Sequence, residues 1–310
     1  MSIKRFTFFT IGILLILLAG RTVQIYITRP TQSPKTDNKI RVTVSFYPLF
    51  FFASQIGGDK TQVISITPTG SEPHDYEPTT QDIVQIEKSD VLILNGGQLE
   101  NWGDKIKENL NGKKTVIITA AEELTTQDSQ EEGRIKKDPH VWLDPVLAKK
   151  EATVIAQALI NVDPANKAYY EQNAKQLQEK LDALDSQFRQ GLQHCQQKNI
   201  ITSHAAFGYI ASRYNLKQVP IAGLSPDSEP SPKQLGDVAQ FAKTNNVKYI
   251  FFETLVSPRL AQTIAKEVGA KTLVFNPLEG LTKEQEEAGK NYLSIQKENL
   301  ENLKIALECK

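Results

Sequence analysis

Three of the four histidines in the chain sit in short segments that each carry an aromatic residue, two of them rich in proline and acid as well. These are Ser71-Glu72-Pro73-His74-Asp75-Tyr76-Glu77-Pro78, Asp138-Pro139-His140-Val141-Trp142-Leu143-Asp144-Pro145 and Thr202-Ser203-His204-Ala205-Ala206-Phe207-Gly208-Tyr209. Neutral imidazole is the commonest side-chain metal ligand, and three of them suit zinc. The residue types point to one metal site built from His74, His140 and His204. Spacing alone does not select it, because no two of them form a short repeat such as H-x-x-x-H. A lone histidine before a strand or helix is ordinarily a cap. His194, in the polar helix end Gln193-His194-Cys195-Gln196, shows that ordinary case, since an imidazole there favours the negative pole of the helix.

The elements around these segments alternate. Residues 40–46 are β-branched and alternating, as a strand requires, and Tyr47-Pro48 turns into an apolar helix ended by Gly57-Gly58. A strand at 63–66 delivers the His74 segment, a helix follows at 79–88, and 90–95 is a continuous apolar strand of the doubly covered, parallel kind. A helix at 99–110 and a strand at 115–119 complete this half. The second half repeats the grammar, with strands at 199–202, 217–224, 247–252 and 271–275. The first of these delivers His204. Ligands of open α/β folds gather at the carboxyl ends of strands, so the three loops can converge. The fold class is α/β: two lobes with parallel sheets flanked by helices.

Between the halves, Tyr170, Leu177, Leu181, Leu184, Phe188 and Leu192 step mostly by three or four residues. That is one apolar stripe on a helix of roughly thirty residues, or roughly 45 Å at 1.5 Å per residue. Asp163-Pro164 supplies its N-cap and first-turn proline. Residues 124–137 carry no apolar period and read as a polar surface loop leading into His140. The division is 1–27 signal peptide or signal anchor, 28–39 linker, 40–163 first lobe, 164–195 linking helix and 196–310 second lobe.

Composition bounds the function. Lys+Arg and Asp+Glu both total 36, so no global charge recruits nucleic acid, and no nucleic-acid motif is present. Lys4-Arg5 precede an apolar run over residues 6–20, the pattern of an export signal. Residues 22–27 extend it toward spanning length, so cleavage and retention as an anchor both stay open. Leu18-Ala19-Gly20 would end a lipoprotein signal if cysteine followed, but the next residue is Arg21, so lipid anchoring is not expected. The protein is expected in the periplasm or another extracytoplasmic space. Cys195 and Cys309 are the only cysteines. In an exported chain such a pair is a disulfide candidate that would fasten the last helix to the end of the central one, as geometry allows.

Taken together, the three histidine segments, the long helix and the loop Asn276-Pro277-Leu278-Glu279-Gly280 resemble the zinc/manganese solute-binding proteins of ABC transporters. That family includes streptococcal adhesin-like lipoproteins. The resemblance runs from Ile40 to the C-terminus. It implies two α/β lobes joined by a rigid helix, metal in the interlobe cleft, and an integral-membrane ABC permease as partner, with the carrier acting as a monomer. The family's first three ligands fall on His74, His140 and His204. Manganese members are expected to carry a carboxylate at the third, so three imidazoles favour Zn2+ over Mn2+. The family's fourth ligand, an aspartate in a strand-end loop, falls on Asn276. That departure leaves water, Glu72 or Asn276 as the fourth donor, with Glu253 ranked below them. Asp75, Asp138 and Asp144 are candidates to orient the imidazoles, with capping as their ordinary alternative. Zinc members often carry a histidine-rich stretch at 124–137. None is present here, so binding should rest on one central site.

A non-catalytic carrier is therefore expected. The rival from another class is a zinc hydrolase, since three histidines and an open fourth position also describe a catalytic site. No H-E-x-x-H motif or matching general base accompanies the histidines. A surface adhesin or a structural zinc protein is the third reading.

Overall fold

The computed structural model describes residues 39–131 and 134–310. The expected signal at 1–27 and nearly all of the expected linker at 28–39 lie outside the described residues. Four short apolar strands, β1 (Ile40–Val44), β2 (Thr61–Ser65), β3 (Val91–Leu94) and β4 (Val116–Thr119), form a parallel sheet in the order β2-β1-β3-β4. Residues Val91 to Leu94 are all buried, because helices cover both faces. After β4 in the chain, β5 (Asp128–Glu131) and β6 (Arg134–Lys137) pair antiparallel. A second parallel sheet contains β7 (Asn199–Thr202), β8 (Lys217–Pro220), β9 (Tyr249–Phe252) and β10 (Lys271–Val274), ordered β10-β9-β7-β8.

The β5–β6 hairpin corrects the expectation of a structureless loop. Its register places Asp128 opposite Lys137, and their side chains meet at 2.6 Å. Opposite charges facing across two strands can stabilise a ladder that lacks an apolar face. Hydrophobic alternation is therefore absent, and Ile135 is 69% exposed.

The helices are α1 (Tyr47–Gly57), α2 (Thr80–Lys88), α3 (Gly103–Leu110), α4 (Pro145–Val162), α5 (Lys167–Gly191), α6 (Gly208–Arg213), α7 (Pro232–Thr244), α8 (Arg259–Val268), α9 (Lys283–Glu287) and α10 (Tyr292–Ala306). Local chemistry sets their starts. Thr79 caps α2 with a reciprocal bond to Asp82, and Ser231 caps α7 with Gln234. The long helix is shorter than expected: α5 has 25 residues, about 38 Å. A 3-10 turn at Pro164–Asn166 precedes it. Asp163 does not cap it by side chain, because its Oδ2 accepts from Tyr170 and Asn166 instead.

The α5 stripe is buried throughout, from Tyr170 to Leu192. It packs on α4, α1 and α10, within a core that also takes in Phe46 and Trp142 from one half and Phe207 and Phe275 from the other. Lys39–Lys310 accordingly form one compact unit. The Cys195–Cys309 disulfide ties the chain beyond α10 to the chain beyond α5. Among the described residues no helix is long and apolar enough to cross a membrane.

Candidate metal centre

Every polar group that matters here leaves the carboxyl end of a parallel strand, as the topology demands. His74 follows β2, His140 follows β4 through the hairpin, and His204 follows β7 by two residues. Glu253 directly follows β9, and the loop from Asn276 to Glu279 follows β10.

His74, His140 and His204 converge with Glu279, and all four are buried. The Nε2 of His140 lies 3.2 Å from that of His74 and 3.3 Å from that of His204. Glu279 Oε1 lies 3.4, 3.3 and 3.2 Å from the Nε2 atoms of His74, His140 and His204. A regular tetrahedron with such edges has its centre about 2.0 Å from each corner, the Zn–N and Zn–O distance. The donor set and its spacing fit zinc.

Two of the imidazoles are fixed by the same device. Asp138 Oδ1 accepts from the backbone N–H of His140 (2.9 Å) and lies 2.8 Å from its Nδ1. Glu253 Oε1 accepts from the backbone N–H of His204 (3.2 Å) and lies 2.7 Å from its Nδ1. With Nδ1–H donated outward, each Nε2 turns a lone pair toward the other donors. Each Nε2 then faces the other donors, where protons shared with Glu279 hold the metal-free cluster together and a cation can replace them. Gly208 lets Asp138 take its place, since a Cβ there would stand 2.8 Å from Asp138 Oδ2.

Burial works against charge in this site, and the ionic partners outweigh it unevenly. Burial would lower His204, yet Glu253 and Glu279 hold its pKa well above the ordinary value. The same contest, with Asp138 and Glu279 as partners, leaves His140 raised. Burial wins at His74, which is lowered. Glu279 is held well below the usual carboxylate range, because His204 and the other imidazoles overcome its burial. Burial, and then the nearby charge of Glu279, push Glu72 up to about 9.

The fourth donor differs from the expectation. Asn276 does not join the cluster. Its Oδ1 accepts from the N–H of Leu278 at 2.7 Å, and its Nδ2 donates to Thr254 at 3.1 Å. Its amide is spent on shaping the turn that brings in Glu279, three residues later. Glu72 also stays outside the four converging atoms: its Oε1 accepts from the N–H of His74 at 3.2 Å. Glu253 braces His204 rather than joining the set. Of the expected orienters only Asp138 reaches an imidazole. Asp144 caps α4 and pairs with Arg213, and Asp75 is exposed. The signal for Glu279 in the sequence is only its place in the loop after the last strand. His74 is the most exposed of the four, at 8%, and borders a cavity of about 120 Å3 shared with Gln98, Lys137 and Ser225.

Two parallel α/β sheets on a shared helical spine, with a buried site of three histidines and one glutamate at their strand ends, define a metal-binding protein of the solute-carrier type. A profile of the family described as ZnuA, zinc-uptake complex component A, periplasmic, matches residues 42–306. The chain belongs to that family. It is 41% identical over 294 residues to the high-affinity zinc uptake system protein ZnuA of Bacillus subtilis, covering 91% of this chain and 92% of that protein. It is 39% identical over 299 residues to the zinc-binding lipoprotein AdcA of Streptococcus pneumoniae, covering 93% of this chain but 60% of that protein. The crystal structure of the Zn(II)-bound ZnuA-like domain of AdcA from S. pneumoniae superposes with a TM-score of 0.76 at 40% identity, over 87% of this chain and 99% of that domain.

Proposed function

We propose that the chain is the extracytoplasmic zinc-binding component of an ABC importer, capturing Zn2+ at His74, His140, His204 and Glu279 and handing it to an integral-membrane permease. The observation that carries this reading is the spacing of the four donor atoms, which matches tetrahedral zinc. Relatives named for zinc uptake and zinc binding support it.

A carrier, rather than a hydrolase, is favoured by the fourth donor. Catalytic zinc keeps one position for water, whereas Glu279 closes the set here. Manganese prefers more oxygen donors than one carboxylate supplies. All four donors come from one chain, so a single copy completes the site. In this reading 40–163 and 196–310 are the two lobes and 164–195 the linking helix. The run at 6–20 serves as export signal or anchor, in place of the lipid carried by relatives named lipoproteins.

Zinc uptake by cells lacking the chain tests this. Under zinc limitation, radiolabelled zinc accumulation should fall on deletion and be restored by the wild-type chain but not by His204→Ala. Unchanged accumulation on deletion, or full rescue by His204→Ala, would refute the reading.

A further inference from the structure

The loop that presents Glu279 is held more firmly than any ligand contact requires. Asn299 of α10 is buried, at 1% exposure. It uses both ends of its carboxamide on one residue: Oδ1 accepts from the N–H of Asn276 at 2.9 Å, and Nδ2 donates to the carbonyl of Asn276 at 2.8 Å. With its own Oδ1 on Leu278 and Nδ2 on Thr254, Asn276 has every polar atom committed. The turn it forms is strained, since Leu278 is fully buried at φ 59. A leucine takes that left-handed conformation only when its surroundings impose it.

The same loop is tied to each histidine arm. The Trp142 indole N–H, two residues from His140, donates to the Pro277 carbonyl at 2.7 Å. Gly70, in the segment that carries His74, donates its N–H to the Leu281 carbonyl at 2.8 Å. Thr254, which accepts from Asn276, adjoins the Glu253 that braces His204. Residues 276–281 are thus the hub of the site, and Asn299 holds the hub's first residue.

We propose that Asn299 is a positioning residue that sets metal selectivity: by clamping Asn276 it fixes one Glu279 oxygen at tetrahedral spacing from the three imidazoles and keeps the site too narrow for manganese. The inference rests on the reading of Glu279 as a zinc ligand. Its physics is simple. Edges of 3.2–3.4 Å suit a four-coordinate ion held near 2.0 Å, whereas manganese favours six oxygen-rich positions. Opening the site for manganese requires the Glu279 loop to move, and the clamp opposes that movement. Nearby groups that support ligands without touching metal commonly change affinity by about 10–100-fold when removed.

Asn302 supplies the control. It lies on the same helix and donates to the Val274 carbonyl at 2.9 Å, just before the loop, without touching the turn. Asn299→Ala, the milder Asn299→Ser and Asn302→Ala would be compared in the full-length protein, alone and with Glu279→Gln. Zinc and manganese dissociation constants, metal-free melting temperature and the Co2+ d–d spectrum would be read. Removing the clamp should weaken zinc about tenfold or more, leave manganese bound at least as tightly as in wild type, and lower the Co2+ absorption away from tetrahedral intensity. Asn302→Ala should leave both affinities and the spectrum as in wild type, and Asn299→Ala should add no further zinc loss to Glu279→Gln. Equal behaviour of the Asn299 and Asn302 variants, or a full Asn299 effect in the Glu279→Gln background, would overturn the proposal while leaving Glu279 as ligand. Unchanged zinc affinity in Glu279→Gln alone would overturn the ligand reading and the clamp with it.

Discussion

Glu253 Oε1 lies 2.7 Å from Nδ1 of His204 and also accepts the backbone N–H of the same histidine. One oxygen therefore fixes both the main chain and the ring, and Asp138 does the same for His140. Replacing the anion by an amide keeps the volume but weakens the hold on the tautomer. Glu253→Gln and Asp138→Asn should each weaken zinc binding by about 10–100-fold, whereas Asp75→Asn, on an exposed side chain, should have no effect. Isothermal titration against a zinc chelator checks all three.

Binding should expel protons. The imidazole of His204 is held protonated well above its ordinary value of 6.5, because Glu253 and Glu279 outweigh burial. Zinc needs the Nε2 lone pair, so affinity should fall as pH falls through the raised folded pKa of His204, by up to about tenfold per unit for each proton displaced. The zinc-free protein should show the matching linkage. A raised folded pKa gives His204 a contribution to stability that is complete below 6.5 and lost as pH rises through the folded value. The depressed pKa of Glu279 gives one that is present above 4.5 and lost as pH falls through its folded value. Titrations in buffers of different ionisation enthalpy measure the proton release.

Glu72 should cost the zinc-free protein stability at neutral and alkaline pH. Burial and Glu279 raise it from 4.5 to about 9. Between those values the folded state keeps a proton that the unfolded chain releases, so stability falls as pH rises through this window. Glu72→Gln keeps an acceptor for the N–H of His74 and removes the titration. Melts in chelator should show it more stable than wild type at about pH 8 and equal near pH 4. A variant less stable than wild type at pH 8 would contradict the assignment.

The Cys195–Cys309 bridge spans a sequence separation of 114. A crosslink closing so long a loop restricts the unfolded chain strongly, so removing it should cost about 2–5 kcal/mol. The double serine variant should melt lower by the corresponding amount. It should still bind one zinc, because neither cysteine belongs to the donor cluster.

The three histidines, the parallel sheets and the spine were legible because each has a short-range signature: a strand-end loop, an apolar run, a stripe at helical spacing. Thr79 and Ser231 likewise announce the helices they cap. Glu279 was not chosen, because its role depends on how Asn276 is used. That choice is made by Asn299, 23 residues away, and by a leucine held at φ 59. Glu253 reaches His204 across 49 residues and carries no local mark of it. The β5–β6 hairpin has no hydrophobic alternation to mark it, and Asp128 pairs with Lys137 across its strands.

The central claim, a tetrahedral zinc site of His74, His140, His204 and Glu279, is tested most directly by competition between zinc and manganese for the wild-type protein and for Glu279→Ala. One tight zinc equivalent, little displaced by manganese, is predicted for the wild type, with zinc weakened at least about 100-fold in the variant, as loss of one of four donors demands. A preference for manganese, or zinc binding untouched by Glu279→Ala, would contradict the account.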